Sequence, residues 1–186
     1  FKSSKGFTLI EIVVVIVILS IVSAITIKFL VDSLTTYTMT AEQKTLFEEG
    51  KLALERMCRD LRDANSITTP GSGGAGSTLT FARTHATAQD IAGETITFQR
   101  NAGASTLEKV KTSPSATVTL AENVSTFTVT RGTSPNNEIT ISLTLSRTVA
   151  GVTLSVPLRT NLIPKNFPTD TTYKYFKNYW EEEESP

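Results

Sequence analysis

The chain has 186 residues, with 18 Lys and Arg balanced by 18 Asp and Glu, and with one Cys and one His. This length suffices for one modest domain and an anchor, and the balanced charge gives no support to nucleic-acid binding. The lone Cys excludes an internal disulfide, and one Cys with one His leaves no zinc cluster, so no metal or other cofactor is predicted.

An apolar segment runs from Phe7 to Ile27 and contains a single charged residue, Glu11. As a helix it extends about 31 Å at roughly 1.5 Å per residue, which matches the hydrocarbon core of a bilayer. Lys2 and Lys5 precede it, and basic flanking residues favour a cytoplasmic N-terminus. The sequence therefore predicts a single membrane-spanning helix with a cytoplasmic N-terminus, and with the C-terminal part exported.

Two interpretations of Glu11 are open. In the first, its carboxylate reaches the cytoplasmic headgroups, because a charge near the interface costs less than the roughly 2.5–3.5 kcal/mol at the bilayer centre. In the second, cleavage after Gly6 gives Phe7 a free amine, and the amine of one chain pairs with Glu11 of a neighbouring parallel helix. Such a pair offsets the desolvation penalty that either charge alone would carry.

The order of a basic leader, Gly6, Phe7, Glu11 and an apolar helix, in the stretch KGFTLIE, resembles the N-terminal signal of type IV pilins and type II secretion pseudopilins. The resemblance implies cleavage between Gly6 and Phe7 by a membrane aspartyl prepilin peptidase, N-methylation of Phe7, and a role for Glu11 in filament assembly. Because the sequence starts with Phe1 and not Met, its true start is expected upstream or altered.

The same resemblance implies the partners and the location of the protein. The expected partners are the prepilin peptidase and methyltransferase, other pilin or pseudopilin subunits, an inner-membrane assembly platform and membrane lipid. The subunit is expected to move from the inner membrane into a periplasmic or cell-surface filament.

The helical pattern continues past the anchor. We divide it into a leader (1–6), a transmembrane or filament-core helix (7–31) and an amphipathic helix (32–66). Apolar residues spaced by three and four mark one face of the last segment, at Phe47, Gly50, Leu54, Met57, Leu61 and Ala64. Residues 67–77 contain G-x-G-x-x-G, but a helix precedes this stretch and a strand follows it, the reverse of a dinucleotide site. They are predicted to form a flexible linker.

From residue 78 to residue 162 the apolar period changes to two, with Thr and Ser between the apolar positions. This alternation predicts an antiparallel sheet with one buried face, which packs on the apolar helix face. The clearest hairpin joins 139–145 to 152–158, and Pro157 suggests that the last strand ends there or lies at an edge. The predicted fold class is α+β: a long N-terminal helix on a C-terminal antiparallel β-sheet domain, as in pilins.

The stretches ALERMCRDLRDANSI, LAENVSTFTV and ITISLTLSR are similar to PilW-type minor pilins and J-type minor pseudopilins. This looser resemblance implies a minor subunit that primes or caps a filament used for pilus biogenesis, type II secretion or DNA uptake. Two alternatives are open: a major pilin that forms the bulk of a filament, and a membrane-anchored binding module that does not polymerise.

The C-terminal tail, residues 163–186, combines aromatic residues with an acidic run at 181–184. It is interpreted either as a partner-docking segment or as aromatic cover for the sheet followed by a solvated acidic end. The sequence has no nucleophile elbow, no histidine pair and no phosphate loop in a suitable setting, so no catalytic residue is predicted. The chain is expected to be the substrate of two enzymes, a peptidase and a methyltransferase.

Overall fold

The computed structural model describes residues 6–133 and 137–165; the leader before Gly6 and the tail after residue 165 lie outside the described residues. The described part contains one helix and nine strands: α1 (Leu9–Arg62), β1 (Ala64–Thr69), β2 (Ala75–Gly76), β3 (Thr78–Arg83), β4 (Thr95–Asn101), β5 (Thr106–Thr112), β6 (Ser115–Ala121), β7 (Val124–Arg131), β8 (Ile139–Val149) and β9 (Val152–Leu162). The chain divides into two compact units, Phe1–Glu42 and Gln43–Pro186.

The first unit contains the N-terminal part of α1. Every side chain from residue 7 to residue 34 is exposed, although most of them are apolar. By length and composition the helix could cross a membrane. The hydroxyls of Ser20 and Thr26 donate hydrogen bonds to the carbonyl oxygens four residues earlier, at 2.7 and 2.9 Å. Because these hydroxyls are bonded within the helix, they need no water in an apolar surrounding.

The second unit contains two antiparallel sheets, and the predicted α+β class is confirmed. The five-stranded sheet has the order β1-β3-β4-β5-β6, and the four-stranded sheet has the order β2-β7-β8-β9. The sequence predicted one sheet. Alternation of apolar and polar residues identifies the buried face of each strand, but it does not identify the strand's neighbours, and so the division into two sheets was not visible in it.

One face of α1 lies in the core of the second unit, as the spacing predicted, and Phe47 is the one predicted position that is not buried. Phe47 was placed on it and is 48% exposed, whereas Leu46, one residue earlier, is 1% exposed. Leu46 and Phe47 lie four and three residues before Gly50, so a spacing of three and four is compatible with either of them, and Leu46 is the one that points inward. The buried helix residues are Leu46, Gly50, Ala53, Leu54, Met57, Asp60 and Leu61.

The helix ends earlier than predicted, and the predicted linker carries strands. Residues 64–69 form β1, which pairs with β3 and buries Ala64 and Ile67, and residues 75–76 form β2. The guanidinium of Arg131 donates hydrogen bonds to the carbonyl oxygens of Ile67 and Pro70, at 2.9 and 3.4 Å. Burial of this guanidinium lowers the pKa of Arg131. These strand pairings and hydrogen bonds could not be inferred from the glycine-rich composition of the segment.

The predicted hairpin of β8 and β9 is confirmed. The strands pair over their full length, from Ile139↔Leu162 to Val149↔Val152, and the turn residues Ala150 and Gly151 both have positive φ, 50° and 78°. β9 continues past Pro157 and is the edge strand of its sheet. The edge interpretation of Pro157 is therefore correct, since an edge strand tolerates a residue that lacks an N–H donor.

Gly50 of α1 packs directly against side chains of β8 and β9. A Cβ built on Gly50 would lie 2.4 Å from Leu158 Cδ1 and 2.7 Å from Leu145 Cδ1. We expect Gly50→Val to lower the free energy of unfolding by about 1–3 kcal/mol through overpacking, measured by thermal unfolding of the full chain in detergent micelles. Leu52→Val, on the exposed face, is the control and should change stability by less than about 0.5 kcal/mol.

The close contact itself can be tested by a second substitution. Leu158→Ala removes one of the two overlapping methyl groups and should restore part of the stability lost in Gly50→Val. Strictly additive effects of the two substitutions would show that the cost of Gly50→Val does not come from this contact.

Candidate processing and assembly site

The predicted cleavage junction precedes the first turn of α1. Gly6 and Phe7 have no helical or strand assignment, both are exposed, and a Cβ built on Gly6 has no heavy atom within 4 Å. Phe7 is 79% exposed. A peptidase therefore meets no steric obstacle at this peptide bond from the described part of the chain.

Thr8 and Glu11 form a helix N-terminal cap that the sequence analysis missed. The Glu11 backbone N–H donates to Thr8 Oγ1 at 3.4 Å and to the Thr8 carbonyl oxygen at 3.1 Å. With α1 starting at Leu9, Thr8 is the N-cap and Glu11 the third helical residue, the positions of a capping box. The pattern T-x-x-E was the available signal. Glu11 thus has a local role, favourable interaction with the positive end of the helix dipole.

The carboxylate of Glu11 has no side-chain partner among the described residues. It is the one acidic group in the first helical turn, and its hydrogen bonds to Thr8 involve only its backbone N–H. A carboxylate in this position can still accept a cation. The described residues are therefore compatible with the predicted ion pair, but they do not contain it.

Residues 1–27 match the family model described as the prokaryotic N-terminal methylation motif. The chain carries the N-terminal signal of type IV pilins and pseudopilins. This match confirms the resemblance of the KGFTLIE stretch to that signal. No curated protein matches the chain, and no solved structure does either.

The pilin-like signal and the long apolar helix fit a membrane-anchored, pilin-like subunit. The motif implies processing by a prepilin peptidase and assembly with other pilins. The individual roles of Gly6, Phe7 and Glu11 stay predictions, as does the minor-subunit assignment. Among the described residues, no group of three or more His, Cys, Asp or Glu side chains could hold a metal ion.

A buried network of charged residues in the second unit was not predicted. Asp90 lies in the loop between β3 and β4 and is 3% exposed. Its carboxylate accepts hydrogen bonds from Lys109 Nζ at 2.7 Å, Lys111 Nζ at 2.9 Å and Arg83 Nη1 at 2.7 Å. Asp60, on α1, accepts from Lys109 Nζ at 2.9 Å and from Arg83 Nη1 at 3.2 Å. The network thus joins α1, β3, β5 and the β3–β4 loop.

The charges of this network alter the titration of Asp90. Burial alone would raise the pKa of Asp90, but hydrogen bonds from Lys109 and Lys111, together with the charges of these lysines, lower the pKa from 3.8 to about 2. Asp90 therefore stays ionised throughout the physiological pH range. Lys111 also donates to the carbonyl oxygen of Gln89, which fixes the loop backbone next to Asp90.

His85 and Asp63 form a second, more exposed pair at the end of α1. The side chain of His85, the one histidine of the chain, is exposed, and its Nδ1 lies 2.6 Å from Asp63 Oδ1. Burial would raise the pKa of Asp63, but hydrogen bonds from His85 and the charges of His85 and Arg83 lower it below 3.8. Because the His85 side chain is largely exposed, solvent screening keeps the contribution of this pair to stability small.

The signal for the network was the alternation in β5. The structure buries Leu107, Lys109 and Lys111 and leaves Val110 half-buried, although Val110 is the more apolar residue. Period two from Leu107 therefore holds, with two lysines on the inward face. Lysine is almost never fully buried unless paired, and the acidic partners come from distant parts of the chain.

We expect Asp90→Asn to destabilise the second unit by about 3–5 kcal/mol, because it leaves Lys109 and Lys111 buried without their main counter-charge. Urea unfolding of the full chain in detergent measures this loss. Glu55→Gln is the matched control, since Glu55 forms only an exposed pair with Lys51 at 3.8 Å. It should change stability by less than about 1 kcal/mol.

The pH dependence of stability supplies a separate test. The folded-state pKa of Asp90 is below its unfolded value, so its contribution is complete above about pH 4 and is lost as the pH falls toward 2. The lowering from 3.8 to about 2 corresponds to roughly 2 kcal/mol. Asp90→Asn should remove this part of the acid dependence, and an unchanged acid slope in the variant would contradict the assignment.

Proposed function

We propose that the protein is a minor pilin or minor pseudopilin, a structural subunit that primes or caps a type IV pilus-like filament. The observation that carries the proposal is the methylation motif over residues 1–27, followed by a helix whose apolar side chains are all exposed to residue 34. Such a surface needs lipid or other helices around it. A subunit that moves from membrane to filament meets both in turn. No catalytic activity is part of this proposal.

Processing converts the exposed junction into the assembly group. Cleavage between Gly6 and Phe7 frees the Phe7 amine next to the start of α1, four residues before Glu11. In a bundle of parallel helices, the amine of one subunit pairs with Glu11 of its neighbour, which satisfies two charges that would otherwise stand alone in an apolar surrounding. N-methylation keeps the positive charge of the amine and leaves this pairing possible.

The minor role is supported by the similarity of segments of the second unit to PilW-type minor pilins and J-type minor pseudopilins. A major pilin is the first alternative, and the copy number in purified filaments distinguishes the two. A membrane-anchored binding module that does not polymerise is the second, and its mature form would retain the leader. Deletion of the protein distinguishes the three uses of the filament, because the cell should lose the one that the filament serves: pilus biogenesis, type II secretion or DNA uptake.

Intact mass spectrometry of the protein from its native membrane or sheared surface fraction tests the processing step. We expect a chain that starts at Phe7 and carries one added methyl group. Retention of Lys2 and Lys5 in the mature protein would remove the basis for the filament proposal and favour the anchored module.

Substitutions of Gly6 show whether the junction is the peptidase site. Gly6→Ala should be cut slowly or not at all, and Gly6→Leu should block cleavage. A Cβ at Gly6 has no neighbour within 4 Å, so neither substitution disturbs the rest of the described chain, and loss of cleavage reports on peptidase recognition. Efficient processing of Gly6→Leu would place the cut elsewhere.

Glu11 variants separate its charge from its capping role. We expect Glu11→Ala and Glu11→Gln both to insert in the membrane and to enter filaments poorly, because both lose the carboxylate charge. Glu11→Gln keeps a residue suited to a capping box. Thr8→Ala is the matched control: it removes the N-cap side chain, which costs about 0.5–2 kcal/mol of helix stability, but leaves the charge.

The measurement is the amount of each variant in sheared filaments relative to the membrane fraction. The pairing model requires normal filament entry of Thr8→Ala and a defect in Glu11→Gln. The reverse result, normal entry of Glu11→Gln with a defect in Thr8→Ala, would show that Glu11 acts only at the helix N-terminus.

A further inference from the structure

The solvent-facing side of α1 ends in a row of arginines within the second unit. Arg56, Arg59 and Arg62 are spaced by three, all are exposed, and we call them the arginine ridge. Leu52, one turn before Arg56, is 47% exposed and adds an apolar surface next to the ridge. The ridge thus offers positive charge beside a hydrophobic side chain.

None of the three arginines has an ion-pair or hydrogen-bond partner through its side chain among residues 6–133 and 137–165. The nearby acidic side chains of α1 are engaged elsewhere. Glu55 pairs with Lys51, Asp60 with Lys109 and Arg83, and Asp63 with His85 and Arg83. The acidic residues that would balance the ridge along the helix are therefore turned away from it or already neutralised.

The segment of this chain that follows Lys165 has the complementary composition. Residues 166–186 contain two lysines against one Asp and four Glu, a net charge of −3, and the four Glu are consecutive at 181–184. Aromatic residues precede the acidic run, at Tyr173, Tyr175, Phe176, Tyr179 and Trp180. Aromatic rings stack on guanidinium planes, and carboxylates bind them in bidentate geometry.

The chain leaves the described part beside the ridge. The Lys165 N–H donates a hydrogen bond to the carbonyl oxygen of Arg62, at 3.0 Å. From Lys165 to Glu181 is 16 residues, which can extend up to about 50 Å, whereas Arg56 and Arg62 are only about 9 Å apart along the helix. The tether therefore reaches every arginine of the ridge, and its short length gives the acidic run a high effective concentration there.

We propose that residues 173–184 of this chain dock on the arginine ridge of the same molecule, with the acidic run on the guanidinium groups and the aromatic residues against Leu52 and the arginine stems. The contact covers the exposed side of α1 in the second unit. The contact does not depend on cleavage of the leader or on filament assembly, so it can be tested independently of the proposed function.

Trp180 is the one tryptophan of the chain and reports directly on docking. In the purified full-length chain in detergent micelles, we expect Trp180 fluorescence to be shielded from acrylamide and to become accessible in Arg56→Glu/Arg59→Glu. Two exposed ion pairs shift the docking equilibrium by roughly 2- to 30-fold. Raising the salt to about 1 M, where the screening length is about 3 Å, should weaken the shielding of the original chain.

Lys44→Glu is the control, because it reverses a charge on the same helix outside the ridge and leaves the Lys51–Glu55 pair intact. It should leave the quenching of Trp180 unchanged. Replacing the four glutamates 181–184 by lysine should expose Trp180 in the original chain and restore its shielding in Arg56→Glu/Arg59→Glu, since the charges are then complementary again.

Three outcomes would overturn the proposal. Trp180 could be as accessible as free tryptophan amide in the original chain. Its shielding could be unaffected by Arg56→Glu/Arg59→Glu, as expected if it were buried in the micelle. Shielding that disappears on dilution of the protein would show that the tail binds a second copy and not its own chain.

Discussion

The structure depends on one helix that must satisfy two surroundings. The N-terminal part of α1 exposes apolar side chains all round, whereas its C-terminal part buries a single face that includes Gly50 and Met57. A uniformly apolar surface is stable only in lipid or among other helices, but a one-sided surface needs its own sheet. A single continuous helix therefore links a part that is incomplete alone to a part that carries its own core.

In the apolar part of α1, several polar groups already have hydrogen-bond partners within the helix. Ser20 and Thr26 bond back to the helix, and the backbone N–H of Glu11 is capped by Thr8. The carboxylate of Glu11, by contrast, has no side-chain partner among the described residues. An isolated charge in an apolar surrounding is far more costly than a paired one. In the filament that we propose, this single side chain would therefore make association selective for a correctly placed cation.

Much of the fold was predictable because it rests on local periodicity. The long N-terminal helix, the β8–β9 hairpin and the edge position of Pro157 all follow from spacing and turn residues, although the C-terminal end of the helix does not. Phe47 was misplaced because Leu46 and Phe47 both fit a spacing of four and three residues from Gly50. The buried network of Asp60, Asp90 and Lys109 was missed because its members are far apart in sequence and because charged residues are normally assigned to the surface. The processing signal was visible because it is contiguous.

The β3–β4 loop is fixed by buried residues, whereas most of its other residues are exposed to solvent. Asp90 and Glu94 are buried; the Glu94 carboxylate accepts hydrogen bonds from the backbone N–H groups of Ile91 and Ser113, at 3.2 and 3.1 Å. The intervening and preceding positions, 85–89 and 91–93, are exposed. Gly93, with φ at 76°, and Thr87, whose hydroxyl accepts from the Asp90 backbone N–H, belong to the support of the loop. Sequence change at the other exposed positions would leave the fold intact, so related chains could vary this part of their surface while the two carboxylates keep the loop in place.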